Sequence, residues 1–218
     1  MFSKIFPKIH AEGYKFLVIA GIITIILYIF SDFLGLVGFV LTIWVYYFFR
    51  DPDRVVINDD NFLVSPADGE VIKVEEVDGP KELNLENKKF KKISIFMNVF
   101  DCHVNRSPCG GKIEEILYKP GKFFNASLDK ASEDNERNYF KIKDNQNNDI
   151  VLVQIAGLVA RRILCYAKPN ESVTKGGRMG FIRFGSRADI VVSSEIDVCV
   201  NIGEKVKAGE SVIGRIKQ

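Results

Sequence analysis

Cysteine and histidine are scarce in this sequence. The cysteines are Cys102, Cys109, Cys165 and Cys199, with no CxxC pair among them, and the only histidines are His10 and His103. That set excludes the usual Cys/His zinc cage and gives no disulfide framework, so no metal site is expected and the thiols read as buried or idle. An excess of one charge is missing too. Thirty basic residues stand against 28 acidic ones, a formal net charge of +2, so bulk electrostatics points to no nucleic-acid partner. The N-terminal apolar region lacks an A-x-A cleavage site, which argues against export of a soluble mature form. Strong helical periodicity is absent beyond that region.

What is present is sharply asymmetric along the chain. Phe16 to Phe30 is an uncharged apolar run, Ser31-Asp32 interrupts it, and Phe33 to Phe49 is a second run carrying Trp44, Tyr46 and Tyr47 near its end. Each run is shorter than the roughly 20 residues that span a bilayer comfortably. Two arrangements satisfy this, a hairpin of two short helices or one long tilted helix, and the hairpin is the preferred expectation. Lys4, Lys8 and Lys15 before the runs and Arg50 and Arg54 after them place both ends on the cytoplasmic side. Residues 1–50 are therefore expected to be a membrane anchor, and 51–218 a catalytic domain facing the cytoplasm.

After Asp51-Pro52 the chain turns to short β-branched stretches separated by Gly, Pro and Asn. They are Glu70–Val77, Lys92–Val99, Gly111–Tyr118, Ile150–Ile155, Arg161–Tyr166, Gly180–Phe184, Ile190–Ser193 and Ser211–Ile216. A mainly β barrel or sandwich is predicted. Lys119–Asn148, rich in Asn, Asp, Lys and Ser, reads as a long polar excursion. Val173-x-x-Gly176-x-x-x-Gly180 is echoed by Val206-x-x-Gly209-x-x-x-x-Gly214, and this resembles the half-repeat of biotinyl/lipoyl-type barrels. Ser65–Val71 resembles the opening strand of those domains, although no lysine sits in a carrier-type turn.

Three islands carry the chemistry: Ser65–Val71, Phe96–Pro108 and Gly176–Asp189. With Tyr46–Pro52 and Ile155–Ile163 they resemble the short, proteobacterial-type phosphatidylserine decarboxylases, in order along nearly the whole chain. The most specific match is Lys175–Arg187, where that family places a Gly-Ser self-cleavage site, here Gly185-Ser186. Chemically, a serine hydroxyl can attack the preceding carbonyl and give an ester by N-to-O acyl shift, and glycine leaves that carbonyl open. The resemblance then implies loss of the Ser186 α-proton, expulsion of the ester carboxylate and hydrolysis to a pyruvoyl group. Its ketone would condense with the amine of phosphatidylserine and accept the electrons released with carbon dioxide, giving phosphatidylethanolamine without a pyridoxal cofactor. The implied products are chains 1–185 and 186–218, held together as a heterodimer, with phosphatidylserine and the bilayer as partners.

Asp68 can cap its own Pro-Ala-Asp-Gly turn, or act as a base or the orienter of one in serine activation, as the resemblance implies. His103 matches the family histidine linked to decarboxylation, where a near-neutral acid protonates the product carbanion. A second family histidine, three residues on, is Arg106 in this chain, so Asp68 must act directly, through His103 or through water. Arg161-Arg162, Arg183 and Arg187 can pair with lipid phosphate or carboxylate, and Asn105 and Arg106 can line the same pocket; surface solvation is the alternative for each arginine. Two other function classes explain less. A serine hydrolase accounts only for Ser186 and lacks the second glycine of a G-x-S-x-G elbow. A non-enzymic anchored barrel leaves Gly185-Ser186 without purpose.

Overall fold

The computed structural model describes residues 7–127, 134–158, 162–183 and 185–216. Val159, Ala160, Arg161 and Phe184, each part of a motif above, lie outside the described residues. The chain divides into two compact units, Met1–Asp53 and Arg54–Gln218.

The first unit is a helical pair, α1 (Gly13–Phe30) and α2 (Asp32–Phe48). Apolar residues without proline sustain both helices, whose only charges, Lys15 and Asp32, sit in their first turns, and Ser31, extended at φ −168 and ψ 137, separates them. Small residues then let the helices meet. A β-carbon on Gly38 would fall 3.1 Å from the Thr24 Cα, and the Thr24 and Thr42 hydroxyls lie 2.9 Å apart. The base of the pair is closed by His10 N donating to Phe49 O and Asp51 N donating to Lys8 O, both at 2.7 Å. The remaining faces stay apolar and uncovered: Ile29, Phe30 and Phe33 are 76%, 78% and 70% exposed. Water does not favour such a surface and a bilayer does. The 18 residues of α1 give about 27 Å of helix against a hydrocarbon core of about 30 Å. The 17-residue α2 is equally apolar but shorter.

The second unit is almost entirely strands. In chain order these are β1 (Phe62–Val64), β2 (Gly69–Asp78), β3 (Lys89–Met97), β4 (Val104–Arg106), β5 (Gly111–Lys119), β6 (Arg137–Asp144) and β7 (Asp149–Ala156). They continue with β8 (Ile163–Cys165), β9 (Ser172–Val173), β10 (Arg178–Ile182), β11 (Ser186–Ser193), β12 (Asp197–Val198), β13 (Lys205–Val206) and β14 (Val212–Arg215). An eight-stranded antiparallel sheet has the order β13-β2-β3-β11-β7-β6-β5-β9, and two three-stranded sheets run β1-β14-β12 and β4-β10-β8. This mainly β body beside an N-terminal apolar helical pair is the class that the composition predicts.

Two copies of one local design organise it. Ser65-Pro66-Ala67-Asp68-Gly69 leads into β2 as Ser107-Pro108-Cys109-Gly110-Gly111 leads into β5. Val64 N donates to Pro108 O at 2.9 Å while Arg106 N donates to Pro66 O at 2.8 Å, so each copy braces the other. Gly209 N to Ser65 O and Gly176 N to Ser107 O, both at 2.8 Å, repeat the symmetry. Gly176 and Gly209 have φ of 72 and 76, where a side chain would be strained, and a β-carbon on Gly209 would stand 3.6 Å from the Gly176 Cα. The echo between Val173 and Val206 is thus structural: the two lie on equivalent short strands, β9 and β13.

The structure corrects several sequence expectations. Lys119–Asn148 is not one polar excursion, because it contains β6, whose Arg137 and Asn138 are buried with partners. Arg137 Nη1 donates to Tyr139 Oη at 3.1 Å, and Asn138 Nδ2 donates to Gln154 Oε1 at 3.4 Å. Buried polar groups so satisfied do not break a strand. Strand β11 begins at Ser186, not Ile190. It is buried on both faces, with Ala188, Ile190 and Val192 in the main core and Val191 in a second cluster with Phe90, Tyr139 and Val153. That double burial replaces the alternation expected of a half-exposed strand. Arg54, expected to be a flanking charge of the anchor, belongs to the second unit and is ion-paired there.

Candidate active site

Ser186 is the first residue of β11, the fourth strand across the large sheet, and it pairs with Met97 of β3 on one side and Ala156 of β7 on the other. Its side chain shares the parity of Ala188, which points it into the main core, and it is fully buried. The hydroxyl lies 3.9 Å from Met97 Sδ. Gly185, immediately before it, has φ 59 with open space around the position of a β-carbon. Backbone conformation rather than crowding therefore demands glycine there. Crowding acts one strand away: a β-carbon on Gly157 would overlap the Gly185 carbonyl oxygen and stand 3.3 Å from the Ala126 Cβ.

A buried chain of amides lies beneath the serine. Asn105 Nδ2 is 3.6 Å from Met97 Sδ, Gln154 Nε2 donates to Asn105 Oδ1 at 2.8 Å, and Asn138 supplies the next link to Gln154. Asn135, also fully buried, ties the neighbouring loop to the end of β7. Its Oδ1 accepts from Phe124 N at 2.8 Å, while its Nδ2 donates to the carbonyls of Phe124 at 2.8 Å and Ala156 at 2.7 Å. These side chains fix the strands that flank Ser186 and carry no net charge. Of these only Asn105 is singled out in the sequence, by its place beside His103; the roles of Asn135, Asn138 and Gln154 are hidden there, where isolated Asn and Gln residues look like loop or surface positions.

His103 is fully buried just before β4. Its carbonyl accepts from Ile182 N at 3.3 Å, which joins it to the strand that leads into Gly185-Ser186. The ring stands 6.4 Å from that of Phe181, and Nδ1 lies 3.0 Å from the Asp101 carbonyl oxygen. A carbonyl can only accept, so Nδ1 donates to it and carries the ring proton.

Asp68 begins at the same end of the sheet, since Gly69 opens β2 and the neighbouring register aligns Glu70, Phe96 and Arg187. Two strand spacings, about 10 Å, separate the backbone of β2 from that of β11. Its carboxylate is held by Arg54 Nη2, at 2.8 Å to Oδ1 and 2.7 Å to Oδ2, and by Ala208 N, at 2.8 Å to Oδ1. The two side chains are 7% and 12% exposed. Burial pulls the Arg54 guanidinium down, but the charge and hydrogen bonds of Asp68 outweigh it, and the net direction is upward. Asp68 is thus a carboxylate locked against a permanent cation.

The arginines separate. Arg106 is buried on β4 and its Nη1 donates to Gly176 O at 3.0 Å, pinning a turn. Arg183 follows β10, half-buried, with its N–H 3.5 Å from Arg162 O. Arg187 has the opposite parity to Ser186 on β11 and forks onto Asp189, Nε to Oδ1 and Nη2 to Oδ2, both at 2.7 Å. Ser186, Gly185, His103 and Asn105 gather around the start of β11; Asp68 lies at the same sheet end, and Arg187 faces away. Among the described residues no group of His, Cys, Asp and Glu has the makings of a metal site.

Comparison with known proteins gives the family. A family model described as phosphatidylserine decarboxylase matches residues 41–214. The chain is 65% identical over 215 residues to the phosphatidylserine decarboxylase proenzyme of Pelagibacter ubique (strain HTCC1062), covering 99% of this chain and 100% of the relative. The proenzymes of the same name from Ruegeria pomeroyi (strain ATCC 700808 / DSM 15171 / DSS-3) and Cereibacter sphaeroides (strain ATCC 17025 / ATH 2.4.3) are 48% and 46% identical. They align over 95% and 98% of this chain and 95% and 92% of their own. On that coverage the chain belongs to the phosphatidylserine decarboxylase family and is a carboxy-lyase of that kind.

Proposed function

We propose that this enzyme converts phosphatidylserine to phosphatidylethanolamine and carbon dioxide with a pyruvoyl group made from its own Ser186, after serinolysis of the Gly185-Ser186 bond. The observation that carries the reading is the setting of that dipeptide. A buried hydroxyl opens a central strand directly behind a glycine in left-handed conformation, and that glycine's carbonyl is seated against Gly157. Fixing a nucleophile against its target carbonyl lowers the barrier by removing orientational freedom. In the first step Ser186 Oγ adds to the Gly185 carbonyl carbon and the C–N bond breaks, leaving an ester and a free amine. Loss of the Ser186 α-proton with cleavage of the Cβ–Oγ bond then releases chain 1–185 as a carboxylate and leaves a dehydroalanine, whose imine tautomer water hydrolyses to the pyruvoyl ketone with release of ammonia.

The surroundings fit a pyruvoyl group at residue 186. Met97, Ala156 and the Asn105–Gln154 amides offer a dry, uncharged, rigid wall on the face of β11 to which Ser186 points. When formed, that group supplies the electron sink for decarboxylation of an amino acid headgroup. His103 is the acid and base of the cycle, with Nε2 holding the mobile proton and Asp101 fixing the tautomer. Asp68, held in place by Arg54 and Ala208 N, takes part in serine activation during maturation. Arg183, half-buried just before Gly185-Ser186, is the arginine we assign to the lipid's oxyanions, with Arg106 and Arg187 bracing Gly176 and Asp189 nearby in the chain. Chain 186–218 contributes β11 to β14 and stays bound to 1–185 as a heterodimer, since β11 pairs on both sides.

The helical pair anchors the enzyme in the cell membrane, with Lys8, Lys15 and Arg50 keeping both ends cytoplasmic. Replacing Ser186 by alanine tests the maturation step. The variant should remain one inactive full-length chain on a denaturing gel, because alanine has no oxygen to attack with. Appearance of the 186–218 fragment in this variant would remove the proposal.

A further inference from the structure

We infer that the loops around Ser186 form a bilayer-docking rim, through which the catalytic unit itself engages an anionic phospholipid surface. The inference rests on the phosphatidylserine reading. Met97 and Ala156 flank Ser186, and the chain leaving each strand exposes large apolar side chains within two or three residues. Past Met97 come Val99 and Phe100, 38% and 65% exposed; past Ala156 comes Leu158, 67% exposed. Phe124, 38% exposed, joins them because Asn135 binds both its backbone groups and the Ala156 carbonyl. The Phe100 turn is braced by Asn98 and Asp101: Asn98 Oδ1 accepts from Phe100 N at 2.8 Å and Asp101 Oδ2 accepts from Asn98 N at 2.9 Å.

Exposed apolar residues scattered over a surface need no explanation, but here they gather at one end of the sheet, where β11 begins. Cations accompany them. Lys122 Nζ stands 5.5 Å from the Phe124 ring centroid, and its contact with Asp134, at 3.9 Å, is solvent-exposed and weak. Arg162 is exposed beside the strand end that leads to Gly185. Apolar side chains accompanied by Lys122 and Arg162 match the acyl boundary and headgroups of an anionic leaflet. The substrate resides there, and the rim would bring its headgroup to the buried serine without the lipid leaving the membrane.

The test uses the full chain in vesicles of phosphatidylcholine and phosphatidylserine. In a Trp44→Phe background, Phe100→Trp reports the rim alone, since Trp44 is the sole tryptophan. Its emission should shift to the blue and be quenched by acyl-brominated lipid. Quenching by aqueous iodide only, or shielding that depends on protein concentration and not on lipid, would overturn the rim, the latter pointing to a second copy as its cover.

The double variant Phe100→Asp with Leu158→Asp gives the functional arm. Self-cleavage on a gel should be normal, which separates this idea from the Ser186 proposal. Turnover of vesicle phosphatidylserine should fall roughly ten- to hundredfold, the factor that withholding buried apolar side chains from lipid implies. Turnover of a short-chain, monomeric phosphatidylserine should hold. Equal loss on both substrates, or none on either, contradicts the inference.

Discussion

The carbonyl oxygen of Gly185 occupies the place where a β-carbon of Gly157 would be. The two residues lie 28 positions apart and meet because β7 and β11 are paired, with Ala156 opposite Ser186. A side chain at 157 must displace the Gly185 carbonyl, the group that the proposed serinolysis attacks.

Gly157→Ala should therefore slow maturation while leaving the fold standing. A displacement of about 1 Å at a reacting centre costs roughly a hundredfold in rate. The check is the time course of fragment appearance after synthesis, beside a thermal melt. Cleavage at the normal rate would mean that the carbonyl is not positioned by this contact.

Arg54 and Asp68 form a buried pair, and removing one partner strands the other. Arg54→Met should destabilise the second unit by about 3–5 kcal/mol, the range for an uncompensated buried charge. Pairing it with Asp68→Leu should recover most of that loss, because no charge then remains inside. If Asp68 serves maturation, the double variant will be stable yet cleave slowly. Stable protein with normal cleavage would reduce Asp68 to a structural residue.

His103→Ala separates maturation from turnover. Cleavage should proceed, while carbon dioxide release from phosphatidylserine falls by roughly 10²- to 10⁴-fold, as for loss of a positioned acid or base. A single uncut chain would instead give His103 the part that the family's second histidine plays, since Arg106 donates to Gly176 and cannot accept a proton.

Much of this arrangement is legible in the sequence, for identifiable reasons. The apolar runs announce the helical pair because nothing else tolerates such stretches, and Ser31-Asp32 marks the break between them. The β-rich body follows from β-branched stretches between turn residues, and Gly185-Ser186, His103 and Asp68 come from motif context. What stayed hidden depends on tertiary contact. Strand β6 is obscured because Arg137 and Asn138 are polar, and only their partners make them acceptable inside. Arg54 looks like a membrane-flanking charge until its carboxylate partner, 14 residues on, is seen. Gly157 has no local reason to be glycine, since the atom it makes room for belongs to another strand. Arg187 sits beside the serine in sequence, and strand parity alone turns it to the other face.

The most direct test of the central claim is the intact mass of the purified wild-type enzyme, followed by borohydride reduction. The account predicts two species corresponding to residues 1–185 and 186–218, the smaller beginning with a carbonyl group, refractory to amine-directed labelling at its N-terminus and heavier by two hydrogens after reduction. A single species at the mass of the uncut chain, or a small fragment beginning with an unmodified serine amine, would contradict it.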